Sequence, residues 1–422
     1  MDICFGKGAK RISRNSYIGF GKSYLIPETT NFKLVGIYEK ARNQMKVSRM
    51  VLKNLFNFQS VDVLLAERVF LIGANASGKS NLLDVFRLVH DIAKTGGGLQ
   101  RAVSTRGGLS SIRYFTAPKS SPVELEIHLT DSAAKIPNFK YAIGLKQTKN
   151  HPVSLVYERV WKDNHLLIDR PDKEDKQDAL RLTQTYLEQI SMNAAFREIA
   201  HFFGAALYLH IVPQLLRHPE ASLNPSVSEN AFGRTFLKQL AETPAKTRQV
   251  RLNKIEQGLR ITVPQFKRLI YIEDETNTPH LEAVYESWEQ KRVSLRENRF
   301  SDGTLRLVGL FWSLLESESL LLLEEPELSI NGRIVKEFGP LIYRLQSPRQ
   351  VILSTHSWDL LSDNGIAGEE VLLLTPTING TQVELVSSIK EVRQLLEAGL
   401  SIADAALSRT QPPALNQQSL FQ

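Results

Sequence analysis

The sequence has a single cysteine, Cys4, among its 422 residues. One cysteine can form neither an internal disulfide nor a cysteine-based metal site, and the nine histidines show no spacing typical of metal ligands. Uninterrupted runs of about 18 apolar residues are also missing, and the first residues lack the apolar stretch of a secretory signal. We therefore expect a cytoplasmic protein with no membrane span, in which any metal ion arrives with a substrate.

The remaining composition is typical of a globular protein, with 42% hydrophobic and 23% charged residues. The net charge of +7 is concentrated in residues 1–54, where 11 basic minus 3 acidic side chains give +8 and leave −1 for the rest. Residues 1–44 show no sustained helical or strand period. We expect residues 1–49 to be a basic extension, disordered or preceding the native start, with a DNA-binding arm as the alternative.

Hydrophobic periodicity predicts an α/β fold. The apolar runs in ERVFLIG, SLLLLEEPE, RQVILSTHS and EVLLLTP are typical of parallel strands that are buried on both faces. NLLDVFRLVHDIAK predicts a helix, residues 123–168 predict antiparallel strands with one wet face, and the charged stretch 171–178 predicts a surface loop. Residues 179–260 favour helices, and FKRLIYIED and HLEAVYESW again predict strands.

The strongest motif runs from Gly73 to Ser80, GANASGKS, and fully matches the P-loop pattern between a predicted strand and a predicted helix. Its glycines let backbone amides and a helix N-terminus face phosphate groups. Lys79 is expected to reach the β- and γ-phosphates, and Ser80 is expected to place its hydroxyl on Mg²⁺. The predicted nucleotide-binding residues are Gly73, Asn75, Ala76, Ser77, Gly78, Lys79, Ser80 and Asn81. The alternative is a glycine-rich turn that only caps a helix.

A second motif follows the apolar run Leu320–Leu323, which ends in adjacent acids, Glu324 and Glu325. Charges at the end of a buried strand are expensive unless a cation lies there. We expect Glu324 to be the Mg²⁺-side carboxylate, acting through water, and Glu325 to orient and deprotonate the attacking water. The alternative is a pair of surface acids with no chemical role.

Two weaker motifs flank this strand. His356 in STHS follows the next apolar strand, where it could hydrogen-bond a γ-phosphate, although a lone histidine is more often structural. Ser301, Asp302 and Gly303 open an apolar helix and could form another turn that faces phosphate, although an ordinary helix N-cap explains them equally well.

In this order, the P-loop, the SDGT turn, the LLLLEEPE strand and the STHS strand resemble the Walker A, signature, Walker B and switch-histidine elements of ABC-type ATPases. The resemblance is closest to the RecF, SMC and OLD-like branch, where GANASGKSNLLD, RGGLSSIRY, FSDGTLRL, LLLLEEPEL and LSTHSWDLL look like prokaryotic AAA-type ATPases, including those of anti-phage and toxin-like operons. It implies an ABC-ATPase-like P-loop NTPase head with a mixed sheet, an antiparallel β subdomain and an inserted helical subdomain.

The resemblance also implies a homodimer around ATP and Mg²⁺, in which Ser301, Asp302 and Gly303 of one subunit complete the nucleotide site of the other. Residues 357–422 leave no room for a TOPRIM nuclease, so we expect a separately encoded effector protein, with DNA as a further candidate partner. The predicted parts are the extension 1–49, ATPase lobe I at 50–170, a helical insertion at 171–262, ATPase lobe II at 263–407 and a disordered tail at 408–422.

Two positions depart from the pattern of the branch. Asn331 stands where a histidine is usual, and Gln100 is only a weak counterpart of the glutamine that senses Mg²⁺ in ABC proteins. Two functions remain open: an ATPase that controls a partner or senses DNA, and a nucleotide-gated scaffold in which hydrolysis is incidental. Glu325 favours the first, because a general base is of no use for binding alone.

Overall fold

A computed structural model of the chain describes residues 45–131, 138–213, 236–286, 291–316, 320–346 and 349–410. The strands in these ranges are numbered in chain order: β1 Met45–Leu55, β2 Phe58–Leu64, β3 Arg68–Gly73, β4 Val123–Asp131, β5 Phe139–Lys146, β6 Ser154–Lys162, β7 His165–Arg170, β8 Leu207–Leu209, β9 Phe266–Glu273, β10 Pro279–Glu286, β11 Arg292–Arg296, β12 Leu320–Glu324, β13 Gln350–Ser354, β14 Val371–Thr377 and β15 Gly380–Leu385.

The helices are numbered in the same way: α1 Lys79–Ala93, α2 Leu99–Ser104, α3 Leu109–Ile112, α4 Lys173–Gln177, α5 Arg197–Gly204, α6 Phe236–Glu242, α7 Ala245–Thr262, α8 Asp302–Glu316, α9 Gly332–Val335, α10 Phe338–Gln346, α11 Trp358–Leu361, α12 Lys390–Glu397 and α13 Ile402–Ala406. No helix within the described ranges is both long and apolar enough to cross a membrane.

The central sheet has the strand order β15-β14-β3-β13-β12-β8, and all its neighbours run parallel except β14 and β15. Alternate residues of each parallel strand point into two different cores, as Val69 and Leu71 do on one side of β3 and Phe70 and Ile72 on the other. Burial on both faces explains why these strands are continuous apolar runs. The prediction of parallel core strands is confirmed.

The first core lies between the central sheet, helix α1 and an antiparallel sheet of order β2-β1-β4-β5-β6-β7. Strands β4, β5 and β6 confirm the antiparallel pattern predicted for residues 123–168. Strand β1 begins at Met45 rather than Met50, so the boundary predicted at residue 49 is wrong for residues 45–49. Pairing with β4 from Met45 to Lys53 explains the difference, because that pairing satisfies the backbone of a segment with little apolar pattern. The predicted extension at 1–44 lies outside the described residues.

The second core lies on the opposite face of the central sheet, against helix α8 and the three-stranded antiparallel sheet β11-β10-β9. Strands β9 and β10 confirm the strands predicted in FKRLIYIED and HLEAVYESW. The range 171–262, predicted as a helical insertion, contains helices α4 to α7 but also β8, which pairs in parallel with β12 at the edge of the central sheet. Part of this range therefore belongs to the ATPase core, although its boundaries remain a prediction.

The stretch 171–178 is a short capped helix, α4, and not the predicted surface loop. Its Asp175 is buried because Arg170, at the end of β7, donates two hydrogen bonds of 2.9 Å to this carboxylate. Arg170 donates a third bond of 2.9 Å to the buried Glu158 on β6. A tertiary ion pair, which the charge pattern alone could not reveal, decides the conformation here. The last described residues of the predicted tail, 408–410, form a helical turn, and the rest of the tail lies outside the described residues.

This buried network predicts the effect of one substitution. Arg170→Met leaves the buried carboxylate of Glu158 without its cation and leaves Asp175 with only the longer contact to Arg181 at 3.3 Å, which should lower the free energy of unfolding by about 3–5 kcal/mol. The matched control is Arg159→Met, whose partner Asp169 lies on the same strand pair at 2.8 Å but is exposed, so the loss should be about 1 kcal/mol or less. Urea denaturation of both variants measures the difference, and equal losses would contradict the structural role of the buried pair.

Candidate functional site

Three of the four motifs lie at the carboxyl edge of the central sheet. Ser354 at the end of β13 is the register partner of Glu324 on β12 and of Leu71 on β3. The P-loop, the acid pair and the STHS segment therefore follow three adjacent parallel strands and leave the sheet at the same edge. The carboxyl ends of parallel strands are the usual place for ligands in open α/β sheets.

The P-loop is closely packed at its two glycines. A Cβ atom on Gly73 would lie 2.5 Å from the carbonyl oxygen of Leu374, and one on Gly78 would overlap the side-chain amide nitrogen, Nδ2, of Asn57. Gly78 also has a φ of 98°, in the region that favours glycine. The Nζ atom of Lys79 donates hydrogen bonds of 3.0 Å to the carbonyl oxygens of Gly73 and Ala74, so the loop wraps around its own lysine.

Two side chains outside the motif fix the loop in place. Asn57, in the turn between β1 and β2, donates to the carbonyl of Ser77 at 3.1 Å and accepts from Asn81 at 2.9 Å. Thr381 on β15 donates to the same Ser77 carbonyl at 2.8 Å. Sequence analysis missed both residues because they lie 20 and 304 positions from Ser77. The only local signal was that Asn57 occupies a turn between two apolar runs.

The carboxylate of Glu324 is held by two hydroxyl groups. Ser80 donates to its Oε1 atom, and Tyr208 on β8 donates to its Oε2 atom. The contact with Ser80 joins the two predicted Mg²⁺-side residues, and their oxygen donors are the type that Mg²⁺ prefers. Among the described residues, no group of three or more His, Cys, Asp or Glu side chains is arranged to hold a metal ion. This donor set fits a cation that also takes ligands from a bound substrate.

Tyr208 is a third residue that the sequence motifs did not indicate. Burial and the neighbouring Glu324 carboxylate raise the pKa of Tyr208 well above its usual value, so its hydroxyl remains a donor. Its sequence neighbourhood, YLHIVPQ, carries no motif, and only the pairing of β8 with β12 brings it to the acids.

Glu325 has a left-handed backbone, with a φ of 43°, which is strained for a residue with a side chain. Its amide is anchored by the carbonyl oxygen of Ser354 at 3.1 Å. Its Oε1 atom lies 3.6 Å from Nε2 of His356, and both side chains remain partly exposed. The base and the histidine predicted from sequence are therefore neighbours at the mouth of the site.

Lys79 balances the acids at this edge. Burial lowers the pKa of Lys79, and the carboxylates of Glu325, Glu324 and Glu327 raise it in that order of strength. The side chain is only 7% exposed, so its charge acts on these acids with little screening.

Glu327 is a fourth residue whose contacts the sequence did not indicate, although it lies inside the EEPE segment. Its Oε1 atom accepts hydrogen bonds from the hydroxyl of Thr355 at 2.6 Å and from the backbone amide of His356 at 3.1 Å. Burial raises the pKa of Glu327, and its Oε2 atom has no hydrogen-bond partner within the described part of the chain. The carboxylate thus ties the loop that carries His356 to the loop that carries Glu325.

The signature residues lie at the start of α8. Ser301 is exposed, and its hydroxyl bonds within its own turn, 2.8 Å from that of Thr304. A Cβ atom on Gly303 would lie 2.7 Å from the carbonyl oxygen of Ser329, so this glycine packs against the loop that follows β12. The described hydrogen bonds of Ser301 do not reach the P-loop of the same chain, and the role of Ser301, Asp302 and Gly303 across a dimer stays a prediction.

Two further positions have structural contacts. The side chain of Asn331 accepts a hydrogen bond from the backbone amide of Arg333 at 3.0 Å and caps α9. Gln100, the weak candidate for a Mg²⁺ sensor, donates to the carbonyl oxygens of Val153 and Thr183 at 2.8 and 2.7 Å. Both amide groups are therefore engaged in holding the backbone.

Comparisons with known proteins identify the class of this site. The family described as "AAA domain, putative AbiEii toxin, Type IV TA system" matches residues 68–363, more than half of the chain. ABC transporter A family member 10 of Dictyostelium discoideum is 28% identical over 123 residues, which are 28% of this chain and only 13% of that protein.

Two solved structures of Smc heads are also similar. The Smc head bound to the C-winged helix domain of ScpA has a TM-score of 0.50 at 13% identity and covers 80% of this chain and 97% of that chain. A Pyrococcus furiosus Smc head with an extended coiled coil, bound to the C-terminal domain of ScpA, has a TM-score of 0.48 at 14% identity. That match covers 84% of this chain and 100% of the Smc chain. The first likeness and the family match confirm the predicted α/β, P-loop NTPase-like fold with mixed sheets. The family match supports an ATPase-type domain that binds and hydrolyses nucleotide.

The electrostatics of His356 yield a second prediction. Burial and the Lys79 cation lower the pKa of His356 below its usual value of 6.5, whereas the Glu325 carboxylate raises it. Glu325→Gln should therefore lower the pKa of His356 further, and Lys79→Ala should raise it. The unfolded chain protonates this ring more readily than the native state does. The free energy of unfolding should therefore fall as the pH drops below 6.5. An NMR titration of the ring resonances measures both changes, and a shift of either variant in the opposite direction would contradict the assignment.

Proposed function

The chain belongs to the family described as "AAA domain, putative AbiEii toxin, Type IV TA system", and from that premise we propose that it is a Mg²⁺-dependent ATPase that dimerises around ATP. The observation that carries the proposal is the contact between the P-loop and the acid edge. Ser80 lies against Glu324, and Glu325 follows on a strained backbone beside His356. A turn that only capped a helix would not need these acids.

Each residue has a separate task in this proposal. Amides of the P-loop and the N-terminus of α1 bind the phosphates, and Lys79 exchanges the loop carbonyls for phosphate oxygens. Ser80 would supply an oxygen ligand for Mg²⁺ and Glu324 would hold the ion through water, and the bound ion would neutralise charge that develops on the phosphates. Glu325 orients a water molecule and accepts its proton, and His356 donates a hydrogen bond to the γ-phosphate.

The proposal also includes a site shared between two subunits. Ser301, Asp302 and Gly303 open α8 with an exposed serine, and the positive end of the helix dipole suits the phosphates of a nucleotide held by the other subunit. The packing of Gly303 against the Ser329 carbonyl links this turn to the loop after Glu325 in the same chain. Such a link would let the state of one nucleotide site affect the other.

The dimer would control a separately encoded effector or a DNA transaction, in a role related to defence or DNA repair. Support comes from the family description, which names a putative toxin of a toxin–antitoxin system, and from the similar Smc head that was solved bound to the C-winged helix domain of ScpA. The net charge of residues 55–422 is −1, which argues against tight non-specific binding of DNA. A dimer can nevertheless concentrate lysines and arginines in one groove, so net charge decides little about DNA binding.

A third prediction tests the ATPase cycle. Lys79→Ala should abolish ATP turnover because it removes the phosphate-binding cation. Glu325→Gln should lower turnover by about 10²–10⁴-fold, because the general base is lost while ATP still binds, and should trap a dimer. The control is Glu397→Gln, an exposed glutamate on α12 that should keep wild-type turnover. Turnover with Mg²⁺, with and without double-stranded DNA, is measured beside the mass in solution by light scattering.

The same experiment separates the two functions. Unchanged turnover in Glu325→Gln would remove this residue from the base role. ATP binding and assembly without turnover in the wild type would favour the nucleotide-gated scaffold. Stimulation by DNA would indicate a DNA-dependent role.

A fourth prediction tests the shared site. Lys79→Ala and Ser301→Arg should each be inactive alone, because one damages every P-loop and the other every signature turn. Mixing them should restore about a quarter of wild-type turnover, since half of the dimers are mixed and each of these has one intact site out of two. Titration of one variant into the other at constant total protein measures the recovery. No recovery, with mixed dimers verified by differential tagging, would contradict a signature that acts across the interface.

A further inference from the structure

The two carboxylate oxygens of Glu324 are held differently. Oε1 accepts from Ser80, which belongs to the P-loop, whereas Oε2 accepts from Tyr208, which belongs to no recognised motif. A carboxylate with one oxygen fixed by a hydroxyl has a defined orientation for its other oxygen. The partner of a metal-side carboxylate therefore affects how that carboxylate meets a cation.

Tyr208 is itself held on three sides. Strand β8 pairs in parallel with β12, and Tyr208 is the register partner of Leu322, two residues before Glu324. The guanidinium of Arg87 on α1 lies 4.1 Å from the centre of the tyrosine ring, and Arg87 is paired with Asp84 at 3.2 Å. The ring is thus fixed between the edge strand and the helix that follows the P-loop, with its hydroxyl on Glu324.

We propose that Tyr208 is a positioning residue for Glu324: its hydroxyl holds the Oε2 atom of Glu324, so that the Oε1 atom faces the cation position beside Ser80. This inference rests on the proposed function, because it assigns to Glu324 the metal side of an ATPase site. Tyr208 itself does not contact the phosphates or the attacking water in this scheme. Its loss should therefore weaken the binding of a divalent cation to the nucleotide-bound protein and leave binding of nucleotide without metal unchanged.

The chain offers a closely matched control. Tyr271 on β9 donates its hydroxyl to Glu273 at 2.7 Å, and the guanidinium of Arg248 lies 3.7 Å from the centre of its ring. This second tyrosine has the same two kinds of contact in the three-stranded sheet. Tyr271→Phe therefore removes the same hydroxyl-to-carboxylate bond without touching the P-loop or the acids.

The test uses the complete chain as wild type, Tyr208→Phe and Tyr271→Phe. Binding of a fluorescent ATP analogue is measured in EDTA, and binding of Mn²⁺ is measured by electron paramagnetic resonance with a saturating non-hydrolysable ATP analogue. Tyr208→Phe should raise the Kd for Mn²⁺ by about 10- to 100-fold, the range typical for the loss of a partner that orients a metal ligand. Its Kd for the nucleotide in EDTA, and both constants of Tyr271→Phe, should equal those of the wild type.

A melting curve checks that Tyr208→Phe keeps the fold, and a second variant tests the same contact from the side of the carboxylate. Glu324→Asp shortens the carboxylate by one methylene and withdraws it from the Tyr208 hydroxyl, so it should weaken Mn²⁺ binding by itself. In the Glu324→Asp background, Tyr208→Phe should add no further loss, because the two changes break the same contact.

Each outcome has one meaning. If Tyr208→Phe leaves the Kd for Mn²⁺ unchanged, the positioning role is overturned and the proposed ATPase stays intact. The same holds if Tyr208→Phe weakens nucleotide binding in EDTA by as much as it weakens Mn²⁺ binding. Additive losses in the double variant overturn it as well. If the wild type does not bind the ATP analogue, or if Lys79→Ala binds it equally well, both proposals are overturned together.

Discussion

Three carboxylates, those of Glu324, Glu325 and Glu327, lie at one edge of the central sheet around a single buried lysine, Lys79. They raise the pKa of Lys79 against the opposing effect of its burial, which means that all three act on the same charge. Like charges brought this close repel one another, and their desolvation adds to the cost. The arrangement persists because each acid is restrained by a neighbour and because the strands below are buried on both faces.

The restraint of these acids links elements that are far apart in the chain. Glu327 ties the His356 loop to the loop that carries Glu325, and Gly303 packs against the carbonyl oxygen of Ser329 in that same loop. Arg306 on α8 adds a charge to this group, since burial lowers the pKa of Arg306 while Asp302, Glu325 and Glu327 raise it. Arg306, on the helix that Ser301 precedes, therefore interacts electrostatically with carboxylates of the loop that carries Glu325 in the same chain.

Sequence reasoning was most successful where a residue's role depends on its immediate neighbours. The strand, turn and helix around Lys79 follow from an apolar run, glycines and a helical period, and β12 and β13 follow from apolar runs that end in polar residues. It failed for Asn57, Thr381 and Tyr208, because each reaches the site by a contact from outside the motifs. It was also wrong about a loop at 171–178, where a helix forms and Arg170 holds the buried Asp175 while most of the neighbouring residues are exposed.

The sequence by itself determined the α/β class and the placement of the P-loop, the acid pair and the histidine at the ends of strands, because backbone conformation at these positions is a local property. Only the tertiary structure decided which side chains hold those residues in place. Tyr208 reaches Glu324 because β8 pairs with β12, and Thr381 reaches the P-loop because the chain returns as β15. Contacts between distant segments depend on the order in which strands pair, and that order is set by how the whole chain buries its two apolar cores, not by any short stretch of residues.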